Sequence, residues 1–458
     1  MKKQLLLLIS ICFPLQIFAQ TNIWTGNGGD SNWFNAANWS ANSIPSSMDD
    51  VLIASTFTVE IEASTANSSS IELQNSATLI VNNNLVFSNE LTIDINATLD
   101  WISGSISGGG SIQNEGLINL TELSEKLLVN TTLNNNNIVQ AFNIGFIRLN
   151  DSPTINNSET GIFEIMGTGS LTHQTGNPVF NNEGLVKKTS AGIPTSTYMI
   201  FEMNNYGIID IEDSQTFLFL SPLGSLTNFE SGRIQGFGAY DITSPFVTPG
   251  TISPGGAQIG TLEFVNNFDL TSQTKLEFDL GGTSMGDHDV LAIIGFPNLQ
   301  GNILINLEYT PQIGDEFTII TANNITSCNF PAQVIDNNGG PTDFLFDVIC
   351  DNTSVVLRFV DEIILGFDNL SSEEIDFFVH PNPISETFQI VFNSQPDLVS
   401  SDGLSLKFYN TIGQEVRTIE GFSEVNNTFQ RGNLSNGLYF IRLKSQNEVL
   451  ATTKILFD

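Results

Sequence analysis

Positive charge is what this chain has least of. Fifteen Lys and Arg residues face 49 Asp and Glu, which leaves a formal charge of −34 and a pI near 4.1. Such a surface repels phosphate backbones and anionic lipid heads, so nucleic-acid and membrane-surface binding are set aside. Its plain reading is solubility in a salty exterior; the sharper alternative is calcium binding by surface carboxylates, and no cofactor is otherwise expected. Histidine and cysteine number three each. After the first residues no apolar run is long enough to cross a bilayer, so no transmembrane segment is expected. Gly104-Ser-Ile-Ser-Gly-Gly-Gly110 lacks the Lys-Ser/Thr of a phosphate loop and reads as a corner. A Ser-centred nucleophile elbow and metal ligands at helical spacing are missing too.

What is present begins with a leader. Met1-Lys-Lys-Gln-Leu-Leu-Leu-Leu-Ile-Ser10 joins a positive start to a short apolar run, so 1–19 reads as a signal peptide cleaved after Ala19. Ile11 precedes Cys12 where a lipoprotein signal needs a small residue, so no lipid anchor is expected. Cys328 and Cys350 then remain, and an oxidising exterior favours their pairing as one disulfide over two free thiols. The 458 residues exceed one compact core and imply two to four units.

Residues 20–53 hold Trp24, Trp33 and Trp39 among Gly and Asn turns. These rings suit either a plug over the open end of a β structure or, with Trp101, a glycan-stacking platform; the cap is the favoured reading. From 54 to 249 the chain repeats. Asn114-Glu-Gly-Leu-Ile-Asn-Leu120, Asn181-Asn-Glu-Gly-Leu-Val186 and Asn204-Asn-Tyr-Gly-Ile-Ile-Asp-Ile211 share one pattern, and glycines at 161, 184, 207 and 232 step by 23, 23 and 25. Short β-branched runs between Asn/Gly turns at this period predict a parallel β-helix of eight or nine coils, about 40 Å long at ~4.8 Å per coil. Gly and Asn are expected to supply left-handed corners, and stacked asparagines to bond from coil to coil. The competing fold is an antiparallel sandwich array.

Residues 250–360, from Ser253-Pro-Gly-Gly-Ala-Gln-Ile-Gly260 through Gly314-Asp-Glu-Phe-Thr-Ile-Ile320, resemble the terminal repeats of autotransporter-type passenger stalks. The stretch 361–376 is acidic without a period and reads as a linker. Residues 377–458 carry Phe377-Phe-Val-His-Pro-Asn-Pro383, Leu406-Lys-Phe-Tyr-Asn-Thr-Ile-Gly413, Leu434-Ser-Asn-Gly-Leu-Tyr-Phe-Ile-Arg-Leu443 and Lys454-Ile-Leu-Phe457. This segment resembles the type A C-terminal sorting domain of the type IX secretion system of Bacteroidetes. Its alternating runs predict about seven half-buried strands in a small antiparallel β-sandwich, so the fold class is all-β throughout. The matching motif residues are Pro381, Asn382, Pro383, Tyr409, Asn410, Gly413, Gly437, Leu438, Tyr439 and Lys454. Gly413 and Gly437 are expected to shape turns and Tyr439 to pack in the core. The resemblance implies export to the periplasm, handling by the type IX machinery, and release or attachment to anionic lipopolysaccharide. Six of the fifteen basic residues lie between Lys407 and Lys454, compatible with an acidic partner, although solvated strand faces account for most of them.

Chemistry is hard to place. In Gly286-Asp-His-Asp289 adjacent residues on a strand would point to opposite faces and could converge only in a loop, so a structural turn is favoured over a metal site or a base. A polysaccharide lyase needs a cationic base among acids, and 54–249 offers Lys126, Arg148, Lys187, Lys188 and Arg233, with Lys188 and Arg233 near equivalent places two coils apart. The expectation is a non-catalytic adhesin or stalk, with glycan binding or cleavage as the alternative.

Overall fold

The computed structural model describes residues 20–364 and 377–457, except 191, 193, 213–214, 220–223, 244–245, 267–269, 337–341, 393–403, 412, 422–427 and 446–447. The leader at 1–19 and residues 365–376 of the expected linker lie outside the described residues. Asp361–Ile364 prolong the strand Ser354–Ile364, so that strand runs into the stretch read as linker. The chain forms two compact units, one reaching Ile335 and adding Phe346–Val360, the other joining Asp336–Leu345 to Asp361–Asp458.

The first unit is a three-faced parallel solenoid. Each repeat is too short to enclose its own apolar side chains, so coils stack and bury them between three sheets. The first face has eleven strands, from Gln20–Ile23 to Phe246–Val247, and the second has twelve, from Thr58–Ile61 to Asn302–Leu307. A six-stranded third face ends at Ser170–Thr172, and Leu171 bridges Met199 where the next sheet takes over at Ser196–Tyr198. Pairing is parallel coil after coil, as in Leu117↔Ile138↔Ile162, which excludes the sandwich array. Nine second-face strands, Thr58–Ile61 to Arg233–Gly236, fall within 54–249, where the period predicts eight or nine coils. The ladder then crosses position 249 without a break, pairing Arg233 with Thr251 and Thr251 with Lys275. The third face ends in antiparallel pairing of Glu316–Ala322 with Ser354–Ile364.

The innermost position of the first face reads Ile53, Leu73 and Ile93, then Asn114, Asn135, Asn157, Asn182, Asn205 and Asn228. Each of the six asparagines is buried, and each donates Nδ2 to the next Oδ1 at 2.7–2.8 Å until Asn228 reaches Thr248 Oγ1 at 3.1 Å. The same Nδ2 groups also donate to carbonyls of the second-face strands, Asn157 to Leu185 O at 3.2 Å for example. A second row, Asn134, Asn156, Asn181 and Asn204, runs outside the same sheet, with links of 2.8–3.1 Å.

The corner glycines serve a different purpose from the one expected. Gly116, Gly161, Gly184, Gly207 and Gly232 are not left-handed; a Cβ on any of them would strike main-chain carbonyls of the preceding coil, as at Gly161, where it would lie 2.5 Å from Asn135 O. Close stacking, not turn handedness, selects glycine there. Left-handed corners do occur elsewhere, at Asn75, Asn130 and Asn143.

The second unit contains two antiparallel sheets. One orders Phe377–His380, Thr387–Phe392 and Thr428–Gln430; the other orders Glu415–Glu420, Leu404–Tyr409, Gly437–Ser445 and Glu448–Phe457. Phe388 of the first sheet meets Phe408 and Phe457 of the second at ring distances of 6.0 and 6.3 Å, closing a seven-stranded sandwich.

Candidate functional site

The tryptophans do not form a glycan platform. Trp24, Trp33 and Trp39 are buried, with Trp39 edge-on to both partners at 4.9 Å and its Nε1 donating to Trp33 O at 2.7 Å. Trp101 is buried within the solenoid. Stacking needs an open ring face, and these four have none, so the stacking assignment is corrected.

Lys188 and Arg233 are not brought together. Register aligns Arg233 with Ile208 and Leu185, whereas Lys188 aligns with Ile211 and Gly236. Lys188 points inward, fully buried, and donates to Gly167 O and Thr195 Oγ1, both at 3.0 Å. Burial lowers its pKa to about 8, and burial likewise holds Lys126 near 8, where that ammonium caps Glu122 O and Ser124 O. Arg233 faces outward and pairs with Glu277 at 2.5 Å. Both lysines are turned inward and buried.

His288 is buried, with Nδ1 3.1 Å from Gly282 O and its ring edge-on to Phe317. Asp287 is exposed, whereas His288 and Asp289 are both buried, each with its own partners. Among the described residues no group of three His, Cys, Asp or Glu converges as a metal site would require. Cys328 and Cys350 form a disulfide.

Asp289 is the informative member. Its Oδ1 accepts from Gly260 N at 2.8 Å and its Oδ2 from Asp279 N at 2.9 Å. Burial, reinforced by Asp279 and Glu277, outweighs those bonds and raises its pKa to about 7. The bond to Gly260 pins the end of the Ser253–Gly260 segment, in which Gly255 and Gly256 are both left-handed at φ +71° and +69°. That segment walls a groove of about 500 Å³ lined by Lys187, Asp210, Glu212, Gln235, Phe237 and Gln258. A neighbouring groove of about 590 Å³, lined by Thr216, Thr261 and Glu263, shares the ring of Phe237. Sequence inspection passes over Phe237, although Gly236 and Gly238 beside it are a visible signal.

In the second unit Asn382 forms a clamp on the last strand. Asn382 Oδ1 accepts from Leu456 N at 2.9 Å, and its Nδ2 donates to Lys454 O at 3.3 Å. Ile384, wholly buried, donates its N–H to Leu456 O at 2.8 Å. Pro381 and Pro383 flank Asn382 in cis peptides. Asn410 and Gly413 close a tight turn, with Gly413 at φ +75° and its N–H 3.0 Å from Asn410 O. Gly437 is at φ +142°, Leu438 is exposed, and Tyr439 packs edge-on to Phe457 at 5.4 Å. Tyr409 carries the Arg442 guanidinium 5.0 Å above its ring.

Residues 378–457 match the family model of the secretion system C-terminal sorting domain. The chain carries a type IX sorting domain. Against the curated proteins the chain finds no match. The sorting domain directs export and an extracellular or cell-surface location, and its handling falls to the type IX machinery.

Two arginines of the sorting domain were missed from sequence. Arg431 donates Nε to Leu434 O at 2.7 Å and lies 5.1 Å over the Phe457 ring, and Arg417 donates to Gln430 O and Arg431 O at 2.6 and 2.7 Å. Lys407 pairs with Glu415 at 2.7 Å. Four of the six basic residues in the sorting domain, Arg442 included, thus meet partners within it, in place of the solvated strand faces expected for most of them.

Proposed function

We propose that the mature chain is a non-catalytic β-solenoid protein of the cell exterior, an adhesin or structural stalk. The observation that carries this reading is Lys188. One of the two cations that the sequence sets at near-equivalent places two coils apart is turned into the solenoid and bonded to Gly167 O and Thr195 Oγ1. The unbroken asparagine ladder supports it, since six coils are held rigid by buried bonds that serve no reacting group. In this reading a signal peptide at 1–19 takes the chain to the periplasm. The type IX machinery then moves it across the outer membrane, and the mature form is released or held on anionic lipopolysaccharide.

The test is a polysaccharide-depolymerisation screen on the secreted protein, run with and without calcium. The expected result is no new reducing ends and no unsaturated uronates under either condition. Either product, abolished by a substitution in the solenoid, overturns the non-catalytic reading.

A further inference from the structure

We propose that the paired grooves on either side of Phe237 bind a neutral oligosaccharide, with the Phe237 ring as the stacking face. The inference deepens the adhesin reading and rests on it only for the fate of the sugar, which is bound and left intact.

The ring is placed by its neighbours. Phe237 lies between Gly236 and Gly238 at the corner joining the second and third faces, and it rests across Gly260, where a Cβ would collide with ring carbons. It is only partly covered and borders both grooves. Each groove, at about 500 and 590 Å³, falls within the range of small-ligand sites. A pyranose offers an apolar C–H face and a rim of hydroxyls. An aromatic face attracts the polarised C–H groups, and amides and carboxylates take the hydroxyls. The surroundings of Phe237 supply that combination through Gln235, Gln258 and Thr216 with Asp210 and Glu263.

Charge selects the class of sugar. Three carboxylates, Asp210, Glu212 and Glu263, line the grooves against one ammonium, and Lys187 Nζ already lies 3.9 Å from Glu212 Oε1. A uronate or sulfated chain would bring negative charge to a negative wall, which disfavours it. The wall is also built in advance. Gly255 N donates to Gly236 O at 2.8 Å, and buried Asp289 holds Gly260 N. Binding therefore orders little of the loop, and the ordering cost of association stays small.

The experiment is calorimetric titration of the purified full chain with cellotetraose, mannotetraose and xylotetraose, and with tetragalacturonate as the anionic probe. At least one neutral tetrasaccharide should bind. Phe237→Leu should weaken it at least tenfold with an unchanged melting temperature, and Gln258→Ala, on the exposed loop, should weaken it several-fold. Absence of neutral binding, neutral binding unmoved by Phe237→Leu, or preference for tetragalacturonate each overturns the assignment. New reducing ends in the same samples would refute the non-catalytic reading alone, because the Phe237 assignment is decided by the Leu variant.

Discussion

The side-chain amide of Asn157 donates to Oδ1 of Asn182, one coil further along, at 2.8 Å, and both residues are buried. Asn157 Oδ1 in turn accepts from Asn135 at 2.7 Å, so each interior amide links two neighbours. Asn157→Ala leaves Asn182 Oδ1 without its ladder donor and Asn135 Nδ2 with its carbonyl acceptors alone. The expected loss is about 2 kcal/mol, from ~1–3 kcal/mol for an unsatisfied buried group. Asn156→Ala, in the solvated outer row, should cost less than about 1 kcal/mol. Denaturant melts of the two variants decide the matter, and equal losses would show that the inner ladder has no special weight.

Lys126 and Lys188 should make the solenoid more stable in mild alkali. Their folded pKa values lie near 8, below the ordinary 10.5. Between those values the unfolded chain holds protons that the folded chain has shed, so stability rises with pH from about 8 to 10.5. Lys188→Met removes one of these two contributions. Comparing melting temperatures at pH 7.5 and 10, the wild type should gain on the variant, and parallel curves would contradict the burial of this ammonium.

Asp289 works in the opposite sense. Its folded pKa near 7 exceeds the ordinary 3.8, so the folded chain retains a proton that the unfolded chain loses. Its contribution to stability falls as pH rises from about 4 to 7 and is constant above. Hydrogen exchange at the Gly260 and Asp279 amides should therefore be slower, after correction for intrinsic rates, at pH 5 than at pH 7.5. In Asp289→Ala both amides should exchange fast at either pH.

Reduction of Cys328–Cys350 opens a loop spanning 22 residues of sequence. The expected destabilisation is about 3 kcal/mol, confined to the end of the solenoid. Thiol titration of the unfolded, unreduced protein should find neither cysteine free, and finding both free would remove this bond from the description.

Deleting residues 377–458 should leave the remaining chain in the periplasm, as immunoblots of medium and cell fractions would show. Asn382→Ala, which releases the clamp on Lys454 O and Leu456 N, should reduce the extracellular fraction several-fold. Full secretion of the deletion form would refute the sorting role.

The fold was legible because its signals are local and recurrent. Gly161, Gly184 and Gly207 recur at a fixed step because the stack leaves no room for a side chain, and that constraint is written once per coil. The sorting motifs were readable for a similar reason, since Asn382 and Gly413 sit where only their own chemistry closes the turn or the clamp. Facing was not legible. Lys187 and Lys188 are identical in type and adjacent, yet one lies on the surface and the other in the core, and only the register of the whole stack decides which. Trp24, Trp33 and Trp39 posed the same ambiguity. Phe237 escaped notice because its significance comes from Gly260 and Gln258, which follow it by most of a coil.

The inner asparagine ladder has a consequence for how such a gene can change. Each coil from Asn114 to Asn228 offers the coil above the same amide that it takes from the coil below. Duplicating or excising one whole coil in this stretch leaves every remaining amide with its partners and alters the length of the rod by about 4.8 Å. Within this ladder, then, the length of the stack is set by the number of coils and changes in fixed steps.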